Sequence, residues 1–423
     1  MKVKEWSKDI EALVEIASSE PQLAYSAYIF GTSRRWQTVC RTTPGISDHL
    51  RPLEELIRGR LIPAIMGGRH PSDEQRLIYS LPAKMGGLGF LNPTIEADSD
   101  YECSVKMTSQ LTDAIYNQNV SFSPDYDLQT LARKEISDLK EGKMKLLLDS
   151  IKNSSNEALL RLLELAMEKG ASSWLTSLPL ADYGFRLNKQ QFVDAICMRY
   201  DLPIDDAPRN CACGEPYSVN HCLTCRNGGY VIMSHNTVRD TTYSLLKEVC
   251  RDVKLEPALL PVTGEQLPPG AITTDGARSD VGALGFWQPM SPALFDVKVV
   301  NPLAATNWNM KVPVMYKTHE NLKKRGYNAR IQQIEKGSFT PLIFSCSGGM
   351  GTEASAFIKE LAEKVSFKRG EAYSQTISFI RRRYRFDLLK TCIISLRGVR
   401  KVTKAAHEIA DLDIGLCNLS EIC

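Results

Sequence analysis

Apolar positions in the first third of the chain recur at the helical period. Ile10, Leu13, Val14 and Ile16 fall on one side of a helix, and residues 52–61 repeat the pattern, predicting a mainly helical region from Glu5 to about Phe122. Gly67-Gly68, Pro71, Pro82 and the tight run Gly86-Gly87-Leu88-Gly89 ahead of Asn92-Pro93 punctuate it. From about Asp127 to Lys169 a second pattern (Leu128, Leu131, Ile136, Leu139, then Leu159, Leu160, Leu162, Leu163, Leu165) predicts a helical connector, interrupted at Asn153-Ser154-Ser155-Asn156. Beyond a Pro-flanked loop at 203–208 the period changes repeatedly. A helix is expected over about 236–250, a Pro/Gly-rich loop over 261–270, strands over 280–285 and 293–300, a helix over 314–325, a strand over 342–345 and a helix over 352–367. That α-β-β-α-β-α order implies a mixed α/β layer domain.

The expected fold class is therefore α+β and multidomain: a mainly helical N-terminal region, a small cysteine-rich module and a C-terminal α/β/α domain. At 423 residues, about three domains of roughly 150 residues are expected. The boundaries read from the pattern are 1–122 for the helical region, 123–205 for the connector, 206–232 for the cysteine-rich module, 233–400 for the α/β domain and 401–423 for a tail.

With 43% hydrophobic and 24% charged residues the composition is that of an ordinary globular protein. Net charge is only +3, so any nucleic-acid surface must be local; Arg34-Arg35, Lys323-Lys324-Arg325 and Arg381-Arg382-Arg383 with Arg385 are the basic clusters. Twelve scattered cysteines behind a polar start, without the apolar core of a signal peptide, fit a reducing compartment. No apolar run approaches the roughly 20 residues that span a bilayer, and no membrane partner is expected.

Two motifs carry the candidate chemistry. Cys211, Cys213, His221 and Cys225 form C-x-C-x7-H-x3-C, the composition of a zinc knuckle. Four soft or borderline ligands within so short a segment can surround zinc at little cost in loop entropy. The first pair is spaced more tightly than usual, and Cys222 competes with His221 or Cys225 for a place; the alternative is buried thiols and a loop histidine. The second motif is R-x-D…D-x-K: Arg278, Asp280, Asp296, Lys298. Alternation along Leu294-Phe295-Asp296-Val297-Lys298 puts Asp296 and Lys298 on one face, with Phe295, Val297 and Val299 on the other. Asp280, from the preceding strand, could complete a Mg²⁺ site, since Mg²⁺ prefers oxygen ligands. Such a metal polarises a phosphate and lowers the pKa of attacking water while Lys298 steadies charge. Glu248 is a candidate fourth member.

By itself D-x15-D-x-K is weak, and an exposed Asp/Lys pair on an edge strand is the plain alternative. Its neighbours strengthen it. Tyr316, His319 and Lys323 share a helical face, with Lys324 and Tyr327 adjoining, so this helix is expected to contact phosphates, its tyrosines stacking on bases; a solvated basic helix is the competing expectation. Ser345-Cys346-Ser347-Gly348-Gly349-Met350-Gly351 lacks the lysine of a P-loop and is read as a strand-to-helix turn. Asp205-Asp206 has no apolar hairpin around it and is set aside.

In this order the motifs resemble the C-terminal part of the polyprotein of non-LTR retrotransposons that carry a restriction-like endonuclease. The residues are the CCHC cluster, the segment Ser234-His235-Asn236 through Arg239-Asp240, and the R-x-D…D-x-K set. The N-terminal third is similar to the region after that family's reverse-transcriptase palm through Glu20-Pro21-Gln22, Arg34-Arg35-Trp36, Pro52-Leu53-Glu54, Ile62-Pro63-Ala64 and Gly86-Gly87-Leu88-Gly89. The resemblance covers residues 5 to about 400. It implies a thumb-like helical region, a zinc knuckle and a PD-(D/E)XK nuclease that nicks target DNA, with Asp280 and Asp296 as metal ligands and Lys298 as the catalytic lysine. It further implies structural zinc, catalytic Mg²⁺, a nuclear location, and DNA as partner with RNA second. Ser279 stands where that motif usually has proline, and the palm and fingers are missing from the sequence. A metal-dependent endonuclease module is the leading expectation; a non-catalytic zinc-dependent nucleic-acid-binding protein and a decayed retroelement fragment are the others.

Overall fold

The computed structural model describes residues 2–398; the tail expected at 401–423 lies outside them. Two compact units form, Met1–Met167 with Arg186–Leu202, and Glu168–Phe185 with Pro203–Cys423. Helices of eight or more residues are numbered in chain order.

The first unit is helical. In α1 (Lys2–Ala17) Trp6, Ile10, Leu13 and Ala17 are buried, a four-three-four spacing that turns one face inward. After α2 (Pro21–Phe30) comes a continuous run from Arg51 to Ile65, whose middle turn, Ile57–Leu61, is a π-helix. Pro63 has no N–H for the carbonyl one turn back, and the wider turn accommodates that loss. Capping boxes start α3 (Asp73–Ser80) from Ser72 and Gln75, and α7 (Lys189–Tyr200) from Asn188 and Gln191. Between them run α4 (Pro93–Tyr116), α5 (Tyr126–Ser154) and α6 (Glu157–Met167). The break expected at 153–156 is where α5 ends.

The core of this unit is aromatic: Phe90 lies 5.7 Å from Tyr25 and 5.1 Å from Tyr28 between ring centroids. A buried Arg76 grips Glu54 with two bonds of 2.7 and 2.6 Å and gives its third to the Phe90 carbonyl. The glycine turn is clamped from α7, where Arg199 donates to the Ala83, Gly86 and Gly87 carbonyls and Tyr200 to Gly86.

The second unit is a four-stranded sheet with helices on both faces. Strands β1 (Arg251–Leu255), β2 (Val281–Leu284), β3 (Pro292–Val300) and β4 (Ser338–Ser345) lie in sequence order, antiparallel except for the parallel β3–β4 pair. On one face Phe295, Val297 and Phe344 pack with Val238 and Leu246 of α8 (Tyr230–Val249). Phe357 and Leu361 of α10 (Thr352–Arg369) and Ile380 and Tyr384 of α11 (Tyr373–Arg397) complete this core. On the other face, under α9 (Val312–Arg330), Leu294 and Phe339 meet Leu259, Ile331 and Tyr327. The segment 168–185 belongs here too, with Phe185 stacked on Phe386 at 4.8 Å.

Three elements depart from the pattern read in the sequence. Strand β1 was not expected, because Arg251, Asp252 and Lys254 are exposed charges; charge on an edge strand blunts further pairing. Strand β4 begins at Ser338, four residues early, because Pro341 is tolerated on the opposite edge. Helix α11 was hidden by its arginine cluster, whose run breaks up an inward stripe through Ile380, Tyr384 and Leu388.

Candidate functional site

The two motifs form two sites within the second unit. The cysteine cluster is built by a turn and a short helix. Cys211 N–H donates to Glu215 at 2.8 Å and Gly214 N–H to Cys211 at 2.9 Å, with Gly214 at φ +94°, which glycine adopts without strain. Ser218 caps the helix Val219–Thr224 by accepting from His221 N–H, and Cys225 follows its last turn. The ligand atoms of Cys211, Cys213, His221 and Cys225 all lie within 4.8 Å of one another and could hold a metal ion such as zinc. Cys222, 0% exposed, faces the core instead and is not in the group. Burial alone would raise the Cys211 thiol; hydrogen bonds from the Cys213 backbone, His221 and the neighbouring thiols overcome it and bring its pKa to about 6. Tyr217 ties this module to α11 by donating to the Leu396 carbonyl.

The second site sits where β2 and β3 meet under α9. The register pairs Val281 with Phe295, and Asp280 N–H donates to the Phe295 carbonyl at 3.1 Å, so Asp280 stands directly opposite Asp296. Strand alternation puts Lys298 on the same face. Asp280 Oδ2 accepts from Val297 N–H at 2.6 Å and meets His235 Nε2 at 3.1 Å. That hydrogen bond raises the pKa of His235 against the opposing effect of burial. Asp296 is 4% exposed, and burial raises its carboxyl pKa, Lys323 opposing and Asp280 adding to the shift. Its Oδ2 meets Lys323 Nζ at 2.5 Å as an ion pair.

Lys298 Nζ donates to His319 Nδ1 at 3.1 Å, and His319 Nε2 lies 3.2 Å from Asn307 Oδ1, which fixes the histidine with its proton on Nε2. Burial and then Lys323 lower the Lys298 pKa; burial and then Lys298 lower that of His319. Tyr327, stacked on Phe339 at 5.2 Å, is pushed up to about 12 by burial and by the charges of Asp296 and Asp280.

The remaining candidates fall elsewhere. Tyr316 is only 5% exposed and gives its hydroxyl to Glu168 at 3.2 Å, so it offers no face to a base; the expected stacking role is corrected. Glu248 pairs with Arg369 at 2.6 Å at the far end of α8. Thirteen residues separate it from His235, about 20 Å along the helix axis, so it does not join the carboxylates. His235 supplies the contribution of α8. Lys324 pairs with Glu353, while Arg278 is exposed beside Asp280. Arg34 and Arg35 lie in the first unit, where Arg35 is engaged by Glu5 and Asp9. In the 345–351 turn a side chain on Gly349 would run into the Glu168 carboxylate, so an acidic group of the chain itself lies against this loop.

His235, Asn307 and the role of Lys323 were missed from the sequence. Their positions 45, 12 and 27 residues from their partners Asp280, His319 and Asp296 carry no periodic signal; only the His235-Asn236 pair within the family-like segment pointed toward one of them. Ser279 is buried, and its N–H donates to the Pro257 carbonyl at 3.3 Å, a bond that proline could not make. No helix of the described residues is long and apolar enough to cross a membrane. No protein-family model matches the chain, and a search of curated proteins finds no match to it.

Proposed function

We propose that the second unit is a metal-dependent DNA endonuclease module with a zinc-held finger, derived from a retroelement of the kind its motifs resemble. The observation that carries this reading is the direct cross-strand pairing of Asp280 and Asp296 with Lys298 beside them. Like charges facing each other across a sheet are destabilising. A site that keeps them facing each other, with a lysine ammonium already drawn to one oxygen of Asp296, suits a divalent cation.

In this reading Asp280 and Asp296 hold Mg²⁺ or Mn²⁺, which when bound supplies Lewis-acid polarisation of the scissile phosphate and a more acidic water. Lys298, oriented by His319 and Asn307, faces the attacked phosphate and steadies its charge. His235 holds the Asp280 carboxylate in orientation. Exposed Arg278 contacts the flanking backbone. Zinc suits the cysteine cluster because a tetrahedron with Zn–S bonds near 2.3 Å has S–S edges of about 3.8 Å. The Cys211–Cys225 separation is 3.8 Å, and Cys213 Sγ lies 3.2 Å from His221 Nε2.

Full-length protein should nick supercoiled plasmid in the presence of Mg²⁺ or Mn²⁺. Asp296→Asn should lower the rate by at least about a hundredfold, with zinc content unchanged; a variant as active as the parent would remove the site from consideration. A second reading, a non-catalytic nucleic-acid-binding protein, draws on the Lys323–Asp296 ion pair, which could serve structure alone. Salt-sensitive DNA binding with no cleavage at any divalent-metal concentration would establish it instead.

A further inference from the structure

Resting on that reading of the site, we propose that Lys323 is a built-in counter-cation: its ammonium occupies the cation position of Asp296 until a divalent metal displaces it, and the freed lysine then turns to the nucleic-acid phosphates. The Lys323 Nζ to Asp296 Oδ2 separation is 2.5 Å. A Mg²⁺ ion bound by the same oxygen would stand about 2.1 Å from it. The two cations cannot share that place, and each repels the other.

The site contains two lysines with different freedom. Lys298 is tethered to His319, which is itself held by Asn307. Lys323 has no comparable anchor. It approaches the Tyr327 ring at 5.8 Å, one turn along α9, and its side chain is 27% exposed, so rotation about its long stem carries the ammonium toward solvent. Asp296, 4% exposed, cannot follow. The lysine therefore neutralises the facing carboxylates while no metal is bound, and metal binding releases a positive charge at the surface where a phosphate backbone would lie. The coupling has a definite sign: metal and Lys323 compete, so removing the ammonium strengthens metal binding.

The test is calorimetric titration of Mn²⁺ into full-length, zinc-loaded protein, comparing parent, Lys323→Gln, Lys323→Arg and Asp296→Asn. Lys323→Gln should bind Mn²⁺ about tenfold more tightly, within the usual range for coupled sites. Lys323→Arg, which keeps a cation, should bind no more tightly than the parent, and its normal thermal unfolding would show that the position tolerates change. Equal or weaker Mn²⁺ binding by Lys323→Gln, with uptake abolished in Asp296→Asn, would overturn the counter-cation and leave the nuclease reading standing. Failure of every protein, parent included, to take up Mn²⁺ would overturn both.

Discussion

Asp387 shows how a single half-buried carboxyl sets a pH dependence away from the site. On α11 its Oδ2 accepts from the Thr241 hydroxyl at 2.7 Å. Burial raises its pKa, with the Thr241 bond and the charges of Arg383 and Lys390 opposing. A carboxyl whose folded pKa is raised favours the folded state most below its unfolded pKa, near 3.9, and that contribution is lost as pH rises through the folded value. Asp387→Asn keeps an acceptor for Thr241 and removes the charge. It should therefore melt higher than the parent at pH 7, and the difference should shrink toward pH 4 in a series of thermal scans. A gap that widens on acidification would contradict the assignment. The same scale explains Ser279, whose N–H bond to Pro257 helps deliver the backbone of Asp280 to β3.

Elements in this chain are decided by their ends and their crossings. The glycine turn after α3 is the sharpest case: a Cβ on Gly87 would lie 2.0 Å from the Leu81 carbonyl oxygen and 2.6 Å from that of Ile78. Both obstacles are backbone and cannot swing aside. Gly87→Ala should cost about 1–3 kcal/mol by overpacking, read as a fall in the denaturant midpoint, whereas an alanine at Gly142, where nothing lies within 4 Å, should cost nothing of the kind. Helix α5 teaches the reverse lesson. Its leucine pattern marks it as a helix, yet Leu128, Leu131 and Leu139 are 51%, 50% and 48% exposed, and Ile151 is its one fully buried residue. Periodicity determined that α5 coils; burial depended on whether another element lay against the stripe.

For the whole molecule, the cysteine module and the sheet belong to one unit, and Tyr217 links that module to the end of α11. If the four ligands hold a metal, a strong chelator should raise amide exchange across residues 209–226 and at the end of α11, because so small a module has little apolar core to fall back on. Cys213→Ser should reproduce this, and Cys222→Ser should leave metal content intact, since Cys222 lies outside the ligand group. Exchange that ignores the chelator would argue against a resident metal. The sequence by itself determined the helical first third, the interruption at 153–156, two strands, expected at 280–285 and 293–300 and found at 281–284 and 292–300, and the cysteine spacing. Each of these is local, carried by a period of 3.6 or 2 or by a short motif. Even the common face of Asp296 and Lys298 follows from alternation alone. Tertiary structure decided what sits opposite them: Asp280 by strand register, His235 by the start of α8, Lys323 and His319 by the crossing of α9. It also turned Tyr316 inward and left Glu248 far down its helix. These partners are separated by tens of residues, and only packing, which acts on distance in space, could choose among them.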